Sequence, residues 1–213
     1  MTHHSLLLIL SQCVIDGRHV ESEQTVRTLL GEGASPMSVL DDGLLPGMAV
    51  VGQRFRDGEM FLPQVLVSAR AMKTAMAVLE PLLAASNVEP KGTVLIGTVK
   101  GDVHDIGKNL VSVMLQGNGY RVVDIGTQNP VEKYLAAYEQ HRPDVVGLSA
   151  LLTTTMMYMP TVIAGFRSRG IPVPVIVGGA PVTQRFAGEI GADGYAKNAV
   201  DAVDLVNRLL KRT

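Results

Sequence analysis

Asp102, Val103 and His104 open the segment Gly101-Asp102-Val103-His104-Asp105-Ile106-Gly107-Lys108, whose residue types could hold a metal. One imidazole nitrogen can reach a metal while a carboxylate two residues earlier takes the other N–H and fixes the tautomer. An apolar, β-branched run, Thr93 to Val99, precedes the segment and reads as a buried strand. A helix expected from Ile106 to Gly117 follows, so its first backbone N–H groups face the same loop. Alone, the pattern reads more simply as a polar loop with a surface histidine. The rest of the chain reverses that reading.

Two other clusters could do chemistry. Ser149-Ala150-Leu151-Leu152-Thr153-Thr154-Thr155 follows a second apolar run, and Gly178-Gly179-Ala180-Pro181 follows a third. Ser149 and Thr153 offer hydroxyls that donate or accept, and at least one hydroxyl of that cluster is expected to cap a helix. Gly178-Gly179 removes side chains where a ligand must lie against strand backbone, though an ordinary tight turn would use the same pair.

The elements that must position these groups fall into two halves. Residues 5–87 read as helical, with apolar residues at three- and four-residue spacing: Val65, Leu66, Ala69, Met72, Ala75, Met76, Leu79 and Leu83. Ser35-Pro36 reads as an N-cap with proline in the first turn, while Asp57-Gly58 and Pro63 break the pattern. Four or five helices packed as a bundle are expected. Ser86 to Gly92 is a polar, turn-rich linker, which divides the chain into a helical domain, 1–88, and a second domain, 89–213.

The second half alternates short β-branched runs at 93–99, 120–125, 144–149, 173–177 and 194–196 with helix-length stretches at 106–117, 130–141, 156–169, 182–190 and 199–211. That is an α/β repeat, expected to form a flavodoxin-like, doubly wound five-stranded parallel sheet. Ligands of such sheets bind beyond the carboxyl ends of the strands. In the strand order 2-1-3-4-5, strands one, three and four are neighbours, so the three clusters would form one rim.

Composition removes several function classes. The 213 residues carry a formal net charge of −1, with no Trp and 4% aromatics. This gives no electrostatic case for nucleic acid or an anionic membrane and no stacking platform for single strands. Cys13 is the only cysteine, which fits a reducing cytoplasm. Leu6 to Leu10 is too short for a signal peptide or a membrane span and reads as a core helix, with His3 and His4 as disordered terminal residues. No G-x-x-x-x-G-K-[ST] phosphate loop or dinucleotide fingerprint occurs. His3 and His4 have no partner ligand nearby in sequence.

The three clusters together resemble the signature of the cobalamin-binding domains of methionine synthase and of stand-alone corrinoid proteins in methyltransferase systems. That signature is D-x-H-x-x-G, then S-x-L, then G-G. Here Asp102 to Gly107 is followed after 41 residues by Ser149-Ala150-Leu151, and after 26 more by Gly178-Gly179. Phe55-Arg56-Asp57-Gly58-Glu59-Met60-Phe61-Leu62-Pro63-Gln64-Val65 also resembles that family's cap segment, so the likeness spans roughly residues 5 to 211.

The resemblance implies a cobalamin or related corrinoid cofactor, with His104 as the lower axial ligand of cobalt and Asp102 tuning its basicity. It implies that Ser149 extends that network or contacts the displaced nucleotide tail, and that Thr153 contacts the tail or the corrin edge. Gly107, Gly178 and Gly179 would line the slot for the tail, and Asp105, Ile106 and Leu151 would join the cofactor-binding set. Phe55, Leu62 and Val65 would cover the methyl face or serve as bundle core. Thr155, near a position where methionine synthase has a serine, is a further candidate with no assigned role. The Gly126 to Pro130 segment is not used to infer a substrate.

The resemblance further implies a methyl carrier that is not catalytic alone. A substrate-specific methyltransferase would charge cobalt(I) with methyl, and a second would pass it to a tetrahydrofolate or thiol acceptor. A reductive activator would complete the set. A cobalamin-dependent sensor is the alternative, but no added DNA-binding segment is evident. A carbon-skeleton mutase subunit fits the helical cap poorly, and a plain flavodoxin-like module leaves His104 without a task.

Overall fold

The computed structural model describes residues 2–85 and 90–210, which form two compact units. The expected boundary at 88–89, and most of the expected linker, lie outside the described residues. No helix among the described residues is long and apolar enough to cross a membrane.

The first unit is helical. It comprises α1 (His3–Ile15), α2 (His19–Gly31), α3 (Pro36–Ser38), a π-helical turn (Val39–Leu44), α4 (Leu45–Arg56) and α5 (Leu62–Ala85). The Thr2 hydroxyl caps α1 by accepting from the Ser5 N–H, so His3 and His4 are helical, not disordered. The His3 ring reaches the Glu32 carbonyl at 3.0 Å. Ser35 caps α3 ahead of Pro36, as its residue types require. The π turn was not foreseen. Pro46 has no N–H for the carbonyl four residues back, and a widened turn accommodates the missing bond. Gly43 and Gly47 then sit against α1: a Cβ on Gly47 would lie 2.8 Å from the Ser11 carbonyl.

In α5 the buried stripe is Val65, Ala69, Met72, Ala75 and Leu79. Leu66, expected in that stripe, is exposed. Pro63 is the second residue of α5, where no partner is needed for its missing N–H, so the break falls before it.

The second unit is an α/β sheet. In chain order it contains β1 (Thr93–Thr98), α6 (Ile106–Gln116), β2 (Arg121–Asp124), α7 (Val131–His141), β3 (Val145–Ser149), α8 (Thr153–Met156), α9 (Met159–Ser168), β4 (Val175–Gly178), α10 (Gln184–Glu189), β5 (Gly194–Ala196) and α11 (Ala199–Leu210). The strands run parallel in the order β2-β1-β3-β4-β5, as expected. The apolar runs of the three central strands β1, β3 and β4 are buried, and Leu95, Val146, Leu148 and Val177 join Tyr134 and Phe166 in one core. Each such large side chain contributes about 1.5–3 kcal/mol by burial.

The helix expected at 156–169 is α9, and a separate short helix, α8, precedes it in the hydroxyl cluster. Pro160 cannot bond back to the preceding turn, so α8 stops and α9 starts with that proline in its first turn. The ladder pairs Thr98 with Ser149 and Ser149 with Gly178. The carboxyl ends of β1, β3 and β4 are therefore level, and the loops leaving them share one rim.

Candidate functional site

β1 ends at Thr98, and the chain turns through Gly101, at φ +82°, into the loop that carries His104. Asp102 is completely buried at the start of that loop. Its carboxylate accepts four hydrogen bonds. Oδ1 takes the His104 N–H at 3.0 Å and faces His104 Nδ1 at 2.8 Å. Oδ2 takes the Leu151 N–H at 2.7 Å and the Thr155 hydroxyl at 2.5 Å. Burial alone would push this carboxyl up. The Thr155 hydroxyl, the two backbone N–H groups and the His104 ring outweigh it and hold Asp102 well below the usual carboxylate range.

An ionised carboxylate only accepts, so His104 Nδ1 donates to it and Nε2 is the nitrogen turned away from the carboxylate. The His104 side chain is 45% exposed, and among the described residues Nε2 has no hydrogen-bond partner. The ring is oriented from behind through Nδ1, an arrangement suited to a metal at Nε2. Among the described residues no group of three or more His, Cys, Asp or Glu side chains could cage an ion. Any metal here therefore brings most of its own ligands.

The surroundings are apolar. Val103 and Ile106 beside His104, Leu151 and Leu152 on the β3 loop, and Met157 at the end of α8 are between 43% and 61% exposed. Five large apolar side chains left open along these segments ask for an apolar ligand. The glycines shape the same rim. Gly179 has φ +134°, and a Cβ there would sit 1.8 Å from the Ala150 carbonyl oxygen. Gly178 faces the Ala196 carbonyl at 3.1 Å from such a Cβ, whereas Gly107, in the first turn of α6, faces open space.

The structure gathers Asp102, His104, Leu151 and, unexpectedly, Thr155 into one network. Ser149 stands at the end of β3, half-buried, and its hydroxyl does not bond Asp102. Thr153 is exposed in the first turn of α8. No hydroxyl of that cluster caps α8, whose N-cap is Leu152. Asp105 is half-buried, its carbonyl accepting from Asn109 at 2.7 Å. In the helical unit Val65 is buried, Phe55 half-buried and Leu62 exposed.

Sequence reasoning missed two supports of the loop. Thr98, buried at the end of an apolar strand, donates its hydroxyl to the His104 carbonyl at 2.9 Å. Lys108, almost fully buried in α6, pairs with Asp124 and donates to Asn109 Oδ1 at 2.7 Å. The available signal was a polar residue closing an apolar run and a lysine on a buried helix face.

Comparison with known proteins gives a consistent set. Two B12 binding domain families match, over residues 92–204 and 9–80. A corrinoid protein of Desulfitobacterium hafniense is 41% identical over 211 residues, covering 97% of this chain and 98% of that protein. The dimethylamine corrinoid protein of Methanosarcina barkeri is 40% identical over 213 residues, covering 99% and 100%. Among solved structures, the methanol:cobalamin methyltransferase complex of Methanosarcina barkeri superposes with a TM-score of 0.87 at 33% identity, over 98% of this chain and 81% of that one. A cobalamin-binding protein of Desulfitobacterium hafniense gives 0.76 at 28% identity, over 95% and 98%.

Proposed function

We propose that this chain, which belongs to the corrinoid proteins built on B12 binding domains, is a methyl carrier serving two methyltransferases. Its cofactor is a corrinoid. Bound there, the corrinoid supplies a cobalt centre that accepts a methyl group and yields it again. The residues fit such a group. His104 Nε2 is open, its rim is apolar, and side-chain-free Gly107 leaves room beside it, while Gly178 and Gly179 let the backbone of neighbouring segments close up along the same rim.

His104 would hold the cobalt through Nε2 in this reading, with Asp102 holding the ring by its Nδ1–H. Asp105, Ile106, Leu151 and Thr153 border the ring or the tail, with Ser149 at the strand end. Phe55 and Leu62 are the cap residues for the methyl face, and Val65 supports them from the core. The helical domain, 1–88, supplies the cap, and 89–213 the corrinoid site.

The partners follow from that chemistry. A substrate-specific methyltransferase charges the carrier from a methylamine- or methanol-type donor, by analogy with the dimethylamine relative and the methanol complex. A second passes methyl to tetrahydrofolate or a thiol, and a reductive activator restores the carrier after oxidation. The carrier works inside the cytoplasm. The Asp102–His104 pair, with Nε2 left free, is the observation that carries this reading.

The test is an absorption spectrum of protein reconstituted with methylcobalamin, beside His104→Ala. The expected result is bound corrin with imidazole ligation, lost in the variant while the corrin stays. No corrin binding, or an unchanged spectrum in the variant, would overturn the assignment.

A further inference from the structure

The loop between β2 and α7, Gly126 to Pro130, holds the His104 segment at both ends. At one end the Gln128 N–H donates to the Asp102 carbonyl at 3.0 Å. Gln128 does this at φ +55°, in the left-handed region, which a non-glycine residue keeps only where its surroundings fix it. At the other end the Thr98 hydroxyl donates to the His104 carbonyl at 2.9 Å.

Thr98 is itself held by the same loop. Its N–H donates to the Gly126 carbonyl at 2.9 Å, and its carbonyl accepts the Asn129 N–H at 3.0 Å. Asn129 is completely buried, and its Nδ2 donates to the Thr98 carbonyl at 2.9 Å and the Gly126 carbonyl at 2.8 Å. Among the described residues Asn129 Oδ1 has no hydrogen-bond partner, so the amide is oriented by the bonds its Nδ2 donates. Gly97 makes the room, since a Cβ there would lie 2.9 Å from both Asn129 Nδ2 and the Tyr134 hydroxyl. The loop is tied down where it starts, by the Gly126 N–H on Asp124 Oδ1 at 2.8 Å and by Lys108 on Asp124 Oδ2.

We propose that Asn129, acting through Thr98, is the positioning residue for His104 and sets how readily its imidazole ligates the corrinoid cobalt. This rests on the corrinoid reading above. Nothing in the fold requires a buried strand hydroxyl to bond the ligand's own carbonyl. A shift of that carbonyl moves the ring, and outer-shell partners of this kind tune ligation strongly.

The protein is reconstituted with cob(II)alamin and read by electron paramagnetic resonance, in which an axial imidazole splits the cobalt lines. Absorbance gives corrin occupancy. Thr98→Val keeps the branched shape and deletes only the hydroxyl, and Asn129→Ser shortens the amide. Both are expected to bind corrin, with the ratio of ligated to unligated cobalt lowered about 10-fold. The double variant should fall no further than the lower single, because the two residues act in series.

A ratio unchanged in Thr98→Val, with only the melting temperature lowered, overturns the relay and leaves a structural residue. If Asn129→Ser does not fold, the Thr98→Val ratio alone decides in the same two directions. A wild-type signal without splitting, or splitting that survives His104→Ala, overturns the axial-ligand reading itself and the relay with it.

Discussion

Asp102 is where one side chain decides most. Replacing it by Ala takes the acceptor from the Leu151 N–H and the His104 N–H and leaves the Thr155 hydroxyl only the Leu152 carbonyl, at 3.1 Å. Loss of such buried bonds costs about 1–3 kcal/mol each, and partial relaxation makes about 3 kcal/mol a fair total at neutral pH. Its folded pKa is lowered, so the stabilisation is complete above the unfolded value near about 3.9. It is lost as pH falls below that value toward the folded pKa. Urea unfolding of the apoprotein should give a gap between wild type and Asp102→Ala that is flat from about pH 5 to 8 and narrows by about pH 3. A gap of the same size at both ends would show that the charge is not what stabilises. At the same scale, Thr155→Val should cost about 1 kcal/mol and Ser149→Ala less than about 0.5, since only Thr155 touches the carboxylate. The reverse order in denaturation midpoints would return the network to Ser149. Asp102 and His104 were legible because their spacing implies their contact. Thr155 was not, because its hydroxyl reaches Asp102 across 53 positions of sequence, and three adjacent threonines look alike from sequence alone.

At the scale of elements, two glycines separate fold from binding. Gly179→Ala puts a methyl 1.8 Å from the Ala150 carbonyl oxygen at φ +134°, so the β3 and β4 loops must part. It should lower apoprotein stability by more than about 3 kcal/mol, or give no folded protein. Gly107→Ala adds a methyl that meets nothing, in a helix where alanine is favoured by up to about 1 kcal/mol. The apoprotein should be as stable or more so, while corrinoid affinity falls because the methyl enters the space proposed for the tail. Circular dichroism melts and corrinoid titrations check both, and unchanged affinity in Gly107→Ala would move the tail elsewhere. The elements themselves were largely readable. Runs such as Val145-Val146-Gly147-Leu148 alternate with helical stretches, and that rhythm specifies a parallel sheet. What sequence hid came from backbone accounting. Pro46 falls where the π turn gives way to α4 and Pro160 falls in the first turn of α9, each removing one N–H that periodicity does not count. Leu66 kept helical spacing yet lies outside the buried stripe, because spacing gives a stripe's period but not its width.

At the scale of the molecule, cofactor binding is a folding term. A ligand held only by the native state stabilises it by RT ln(1 + [L]/Kd), about 2.7 kcal/mol at a hundredfold excess over Kd. The two units of this chain give that term a place to act. A corrinoid held by the α/β unit alone raises the melting of that unit only. A corrinoid also covered by Phe55 and Leu62 of the helical unit raises both. Scanning calorimetry of apoprotein is expected to show two overlapping transitions, which methylcobalamin moves up together. In Phe55→Ala/Leu62→Ala the α/β transition should still rise, while the helical one stays at its apoprotein position. Both side chains are at least partly exposed, so their removal takes little from the helical core itself. A helical transition that never responds to methylcobalamin, in wild type as in the variant, would deny those residues the cap. It would leave the methyl face to be covered by a partner enzyme instead.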